Sequence, residues 1–107
     1  MKDHVKGGAL TEVTFYILLS LYTPRHGYGI IQFVQEKTRG RLVLGAGTLY
    51  GALNTLEEKG WITAWDTYEG RKKEYLITIL GRHAVMKEME RLRVLMQTAQ
   101  EILEVNQ

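Results

Sequence analysis

The sequence predicts a mainly α-helical fold with one small β-hairpin, and three observations carry that expectation. Residues 45–62, GAGTLYGALNTLEEKGWI, set Leu49, Leu53 and Leu56 along one helical stripe and small or hydrogen-bonding residues on the other side. Gly70-Arg71-Lys72-Lys73 lies between two runs of strand-forming residues, as the basic tip of a hairpin would. Val85, Met89, Leu92, Met96, Ala99 and Leu103 recur at alternating steps of four and three, an a/d heptad seam. A short helix shaped for a groove, a basic ribbon beside it and a long helix with a seam make a winged helix-turn-helix plus a C-terminal dimerisation helix.

Each element follows from local chemistry. Residues 1–9 read as a flexible N-terminal arm, residues 10–80 as the winged-helix domain and residues 81–107 as the dimerisation helix. A first helix is expected from about Leu10 to Tyr22, apolar nearly all round and therefore buried, with Pro24 ending it. His26-Gly27-Tyr28-Gly29 reads as a turn, and a second helix as running from about Tyr28 to Lys37 with Ile30, Phe33 and Val34 inward. Arg39-Gly40 ends it, and Arg41-Leu42-Val43-Leu44 reads as a short strand. The third helix starts at Gly45 or Ala46, and Lys59-Gly60 supplies its C-terminal cation and glycine. Trp61–Thr67 and Lys73–Ile79 are the hairpin strands, the first with Ile62 and Ala64 on one face. Thr78 caps the last helix, expected from about Ile79 to Val105, where Leu95 and Ile102 widen the seam.

At 107 residues and 45% apolar composition the chain suits one domain with a core rather than a disordered segment. Its net charge of +2 is no nucleic-acid signal in bulk. The distribution is more telling. Residues 1–83 hold 11 Lys/Arg against 8 Asp/Glu, whereas residues 84–107 hold 3 against 4, so the body is the more basic part. There is no cysteine, which excludes disulfides and thiol chemistry and fits a reducing cytoplasm. The apolar run Val13–Tyr22 follows Lys2 and Lys6 as a leader would. However, Glu12 interrupts it, no small-residue cleavage site follows, and it is too short to span a bilayer.

Enzyme chemistry finds little support. His4, His26 and His83 lack metal-ligand spacing, Asp3 and Asp66 are the two aspartates, and the single serine, Ser20, belongs to a buried helix. No nucleophile–base pair, cofactor motif or metal site emerges. Gly45-Ala46-Gly47-Thr48 resembles a phosphate loop but lacks the Lys-Ser/Thr pair, so a helix cap and tight turn is the better account.

The third helix offers recognition chemistry instead. Thr48, Gly51, Asn54 and Thr55 face outward, with Tyr50 beside the core edge. Asparagine pairs bidentately with adenine, and threonine offers a methyl to thymine and a hydroxyl to a base or phosphate. Gly51 in mid-helix costs about 1 kcal/mol relative to alanine. Two reasons would justify it: close approach of the backbone to DNA, or a tight helix crossing. Arg71, Lys72 and Lys73 would contact phosphates or enter a minor groove.

These residues also resemble the PadR family of bacterial and archaeal transcriptional regulators. The resemblance rests on His26-Gly27-Tyr28-Gly29-Ile30, on Gly47-Thr48-Leu49-Tyr50 with Ala52-Leu53 and Leu56-Glu57-Glu58-Lys59-Gly60, and on Gly70-Arg71 with Tyr75 and Thr78. It implies a winged helix-turn-helix repressor, dimeric through its last helix. It also implies release by phenolic or other flat hydrophobic compounds, commonly to derepress detoxification or efflux genes. The family often has Ser-Pro at Gly45-Ala46, proline at Gly51 and basic residues at Asn54 and Thr55, so this chain presents a less charged helix.

The expected partners are a near-palindromic duplex operator, a second copy of the chain and a small aromatic or hydrophobic ligand, with no membrane and no cofactor. With no metal cluster or thiol pair to serve as a trigger, the ligand is expected at the dimer junction, where Met89, Leu92 and Met96 meet the first helix. The alternative is a winged-helix protein-interaction module that uses the same helix on a protein.

Overall fold

In the computed structural model, which describes residues 8–67 and 72–107, the chain begins its first helix at a capped threonine. The Thr11 hydroxyl accepts the Thr14 backbone N–H at 3.1 Å and starts α1, Glu12–Ser20. Only Glu12 of that helix is exposed, as its apolar composition requires. A two-residue strand β1, Arg25–His26, leads directly into α2, Gly27–Lys37, and then α3, Ala46–Glu58. Strands β2, Ile62–Asp66, and β3, Lys73–Ile77, precede α4, Ile79–Val105.

The sheet is antiparallel with order β1-β3-β2. Ile62 faces Ile77 and Asp66 faces Lys73 along the hairpin, while Arg25 and His26 pair with Tyr75 and Glu74. Strand β1 therefore ties the hairpin to the helical body, and the Ile77 N–H adds a bond to the Leu21 carbonyl at 2.8 Å. Ile17, Leu18, Ile30, Leu49, Leu53 and Leu56 are fully or almost fully buried where α1, α2 and α3 meet. The predicted stripe of α3 is thus the centre of the core.

Helix ends explain the chain's changes of direction. After α3, Gly60 takes a φ of +76°. Its N–H bonds the Glu57 carbonyl at 2.9 Å and the Trp61 N–H bonds the Leu56 carbonyl at 3.0 Å, a Schellman motif. That turn delivers Trp61 to the start of the hairpin. Thr78 caps α4, its hydroxyl accepting the Gly81 N–H at 3.1 Å and donating to the Gly60 carbonyl at 2.6 Å.

Two sequence expectations are corrected. Arg41–Leu44 is not a strand. The Thr38 hydroxyl occupies its backbone by accepting the Leu42 N–H at 3.1 Å, Arg41 pairs with Glu12 of α1, and Leu44 plugs the core. His26–Gly29 is not a turn either: His26 belongs to β1 and Gly27–Gly29 to the first turn of α2. Its partners on β3 are distant in sequence, so local composition could not reveal the pairing. The expected arm, residues 1–9, falls mostly outside the described residues.

Helix α4 is about 40 Å long at 1.5 Å per residue. Its first half packs on the body, with Val85 4% exposed, whereas every residue from Leu92 onward is exposed. Among the described residues no helix is long and apolar enough to cross a membrane.

Candidate nucleic-acid interface

Helix α3 buries Leu49, Ala52, Leu53 and Leu56 and turns Thr48, Tyr50, Gly51 and Asn54 to solvent. Gly51 is open: a Cβ built there would meet nothing within 4 Å. The tight helix crossing that could have required glycine is therefore absent among the described residues. Thr55 is only half-buried, and its hydroxyl donates to the Gly51 carbonyl at 3.2 Å. That bond occupies the proton which the sequence assigned to a base or phosphate. Gly45 caps α3 with no side-chain acceptor, so the first-turn N–H groups around Ala46 and Gly47 face outward uncapped.

Tyr50 bridges the helices. It is 47% exposed, yet its hydroxyl lies so close to Gly27 that a side chain at that position would collide with it. Gly27 thus lets the first turn of α2 sit against α3.

Lys72 and Lys73 are exposed where β3 begins, at the end of the hairpin opposite Asp66, and form no ion pair or cation–π contact with any described residue. Other cations are committed internally. Arg25 donates to the Ser20 carbonyl at 2.7 Å and lies 4.9 Å over the Phe33 ring. Lys59 lies 5.0 Å over Trp61, and Arg82 lies 4.7 Å over Tyr22. Arg71, the third expected wing cation, lies outside the described residues.

His26 couples the hairpin to α2. Its Nδ1–H donates to the Lys73 carbonyl at 3.0 Å, and its Nε2 stands 3.9 Å from the Glu74 carboxylate. Together these elements enclose a groove of about 480 Å³ between Tyr28 of α2, Tyr50 and Asn54 of α3, and Lys72, Lys73 and Tyr75 of the hairpin. Tyr75 is 5% exposed. Burial pushes its phenol above the ordinary range, and Tyr50 and Glu57 push it the same way.

The groove unites Tyr50, Asn54, Lys72 and Lys73 from the sequence-predicted set. Thr48 and Gly51 share the exposed side of α3, outside its lining. Sequence reasoning missed His26, Tyr28 and Tyr75. The signal for them is the His26–Gly29 motif itself, whose two glycines read locally as a turn.

On the far side, the predicted seam divides. Val85 belongs to the core, Leu92 is 37% exposed against α1, and Met89, Met96, Ala99 and Leu103 are exposed. A groove of about 380 Å³ between α1 and α4 is lined by Phe15, Tyr16, Leu19 and Leu92, with Glu88 and Arg91 at its polar edge. Met89 and Met96 do not line it. Glu88 is 4% exposed, bonded to Arg91 at 2.6 and 2.8 Å. Arg91 is the main reason its carboxyl is held below the ordinary range, with the Leu10 backbone adding to the effect. Among the described residues no group of His, Cys, Asp or Glu could hold a metal.

A three-helix body whose third helix keeps one face exposed, and a hairpin joined to it by a third strand, define the winged helix-turn-helix class. The chain belongs to the PadR-like family of transcriptional regulators, whose family model matches residues 17–87. Proteins of that family are regulators, not enzymes. Similar solved structures agree on the fold. A PadR family regulator from Clostridium difficile is 24% identical with a TM-score of 0.71, the match covering 87% of this chain and 99% of that one. A transcriptional regulator from Thermoplasma acidophilum is 26% identical with a TM-score of 0.69, covering 86% and 90%. PadR from Bacillus subtilis, solved in complex with operator DNA, is 24% identical with a TM-score of 0.65, covering 73% and 46%. No curated protein matches the chain by sequence.

Proposed function

We propose that this regulator is a sequence-specific, homodimeric DNA-binding repressor that lays α3 in the major groove and sets its hairpin on the flanking backbone. The observation that carries this reading is the groove itself. It places a neutral hydrogen-bonding face of α3 beside two lysines whose amines pair with no described residue. Asn54 would read a base edge, Gly51 would let the helix backbone approach, and Lys72 and Lys73 would neutralise phosphates. Operator DNA bound by the Bacillus subtilis protein of the same fold supports the assignment.

Dimerisation through α4 is supported by the exposed stripe of Met89, Leu92, Met96 and Leu103, which a second copy would cover. Such a dimer presents two reading helices, so its operator is near-palindromic, with half-sites about one helical turn apart or a multiple of it. Release by a flat hydrophobic effector is supported by the groove between α1 and α4, where Phe15, Tyr16, Leu19 and Leu92 supply apolar walls. Met89 and Met96 would join it only through the mate. A tenfold release requires the ligand to favour the DNA-free state by about 1.4 kcal/mol.

The test is selection of duplexes from a random pool followed by salt-dependent mobility shifts. Asn54→Ala is expected to cost about 1–3 kcal/mol on the selected site and relax one position per half-site. Lys72→Ala is expected to weaken all duplexes alike and flatten the salt slope by about one per lost phosphate contact. Absence of duplex binding at low salt would reject the DNA reading. The uncharged Asn54-Thr55 face would then favour a protein-interaction module.

A further inference from the structure

We propose that the Tyr75 hydroxyl, at the floor of the groove between α2, α3 and the hairpin, seats a phosphodiester oxygen of the DNA backbone. This deepens the DNA-binding reading and rests on it. Tyr75 is 5% exposed, and its hydroxyl makes no hydrogen bond with any described residue. Native structures rarely leave the hydroxyl of so little exposed a tyrosine without a partner. Phenylalanine would fill the same space in the core with no hydroxyl to satisfy. The hydroxyl therefore calls for an acceptor beyond the described residues.

Strand geometry indicates which acceptor. Alternate residues share a face, so Lys73, Tyr75 and Ile77 line one side of β3. Ile77 closes the core, Tyr75 forms the groove floor and Lys73 stands at its rim. The hydroxyls of Tyr28 and Tyr50 and the amine of Lys72 belong to the same groove. Among the described residues its two lysines are the only lining side chains that carry a fixed charge. Among the described residues three carboxylates stand near it without lining it: Asp66 is the cross-strand partner of Lys73, Glu57 acts on the Tyr75 phenol from α3, and Glu74 is turned toward His26.

Burial and its neighbours keep the Tyr75 phenol protonated well beyond neutral pH, so it stands as a donor. A phosphodiester accepts only and carries one negative charge, which suits one buried donor between two amines. Its position also fits. With α3 in a major groove, the strand bordering that groove passes between the reading helix and the wing, where Tyr75 lies. The first turn of α2, whose N-cap His26 forms no side-chain cap bond, contributes Gly27 and Tyr28 to the lining of the same groove.

The experiment compares wild type with Tyr75→Phe, which retains ring and packing. The expected result is an unchanged or raised Tm for the free protein with binding to the selected duplex weakened about tenfold or more. Equal duplex affinity for the two proteins would overturn the proposal while leaving the DNA reading intact. A clear fall in the free-protein Tm would also overturn it, because the hydroxyl would then have an acceptor within the chain. If wild type binds no duplex, the DNA reading fails separately, and titration with inorganic phosphate settles the seat. A phosphate-dependent rise in Tm that Tyr75→Phe abolishes retains an oxyanion seat of another origin, whereas no such rise overturns it.

Discussion

Replacing Gly51 and Gly81 by alanine, one at a time, makes the same chemical change in two helices and should give opposite results. Alanine in a helix interior is favoured over glycine by about 1 kcal/mol, because glycine loses more backbone freedom on folding. At Gly51 nothing stands within 4 Å of the added carbon, so that gain should appear almost undiminished. For a domain of this size it corresponds to a Tm higher by about 4 °C. At Gly81 the added carbon would run into the Trp61 carbonyl oxygen and come within 2.7 Å of the Ile77 side chain. Neither yields easily, since the Trp61 carbonyl already accepts the Thr78 N–H at 2.9 Å and Ile77 is pinned in the sheet. Overpacking of this kind costs about 1–3 kcal/mol or more and outweighs the helix gain, so Tm should fall by roughly 4–8 °C. The assay is thermal unfolding by circular dichroism at fixed protein concentration, since a dimer's Tm depends on it. Gly51→Ala should at the same time weaken operator binding, because the methyl would stand between the α3 backbone and the groove. Stabilisation with unchanged DNA affinity would refute the role assigned to Gly51. Destabilisation at Gly51, or none at Gly81, would refute the packing argument itself.

Two other perturbations test the assembly and the buried ion pair. Leu92→Glu should place a charge between α1 and the exposed stripe of α4 and yield monomer or aggregate in sedimentation; a wild type that is monomeric at micromolar concentration would reject the dimer. Glu88 has a lowered folded-state pKa, so its pairing with Arg91 stabilises the fold above the ordinary carboxylate pKa and is lost as pH falls through the lowered value. Tm against pH should therefore drop less steeply on the acid side in Glu88→Gln than in wild type, from a lower plateau at neutral pH; parallel curves would show that the pair contributes nothing.

The local elements of this protein were legible in its sequence because their causes are local. The Leu49, Leu53 and Leu56 spacing, the Thr78 cap and the Lys59-Gly60 stop depend on neighbours within one or two turns, and the structure places α3, α4 and the Schellman turn accordingly. The exposed face of α3 followed from the same periodicity. The family could be recognised for a related reason, since its motif residues lie in short blocks. What lies between elements was not legible. Strand β1 exists only because Arg25 and His26 meet Tyr75 and Glu74, and the loop after α2 avoids a strand because Thr38 and Glu12 take its polar groups. What Gly27 and Gly81 meet is not local either: a Cβ at Gly27 would run into the Tyr50 hydroxyl, and one at Gly81 into the Trp61 carbonyl and the Ile77 side chain. The groove holding Tyr28, Tyr50, Asn54, Lys72, Lys73 and Tyr75 is likewise a tertiary product. Sequence periodicity assigns a residue to a face, but which faces meet is set by long-range packing and strand register.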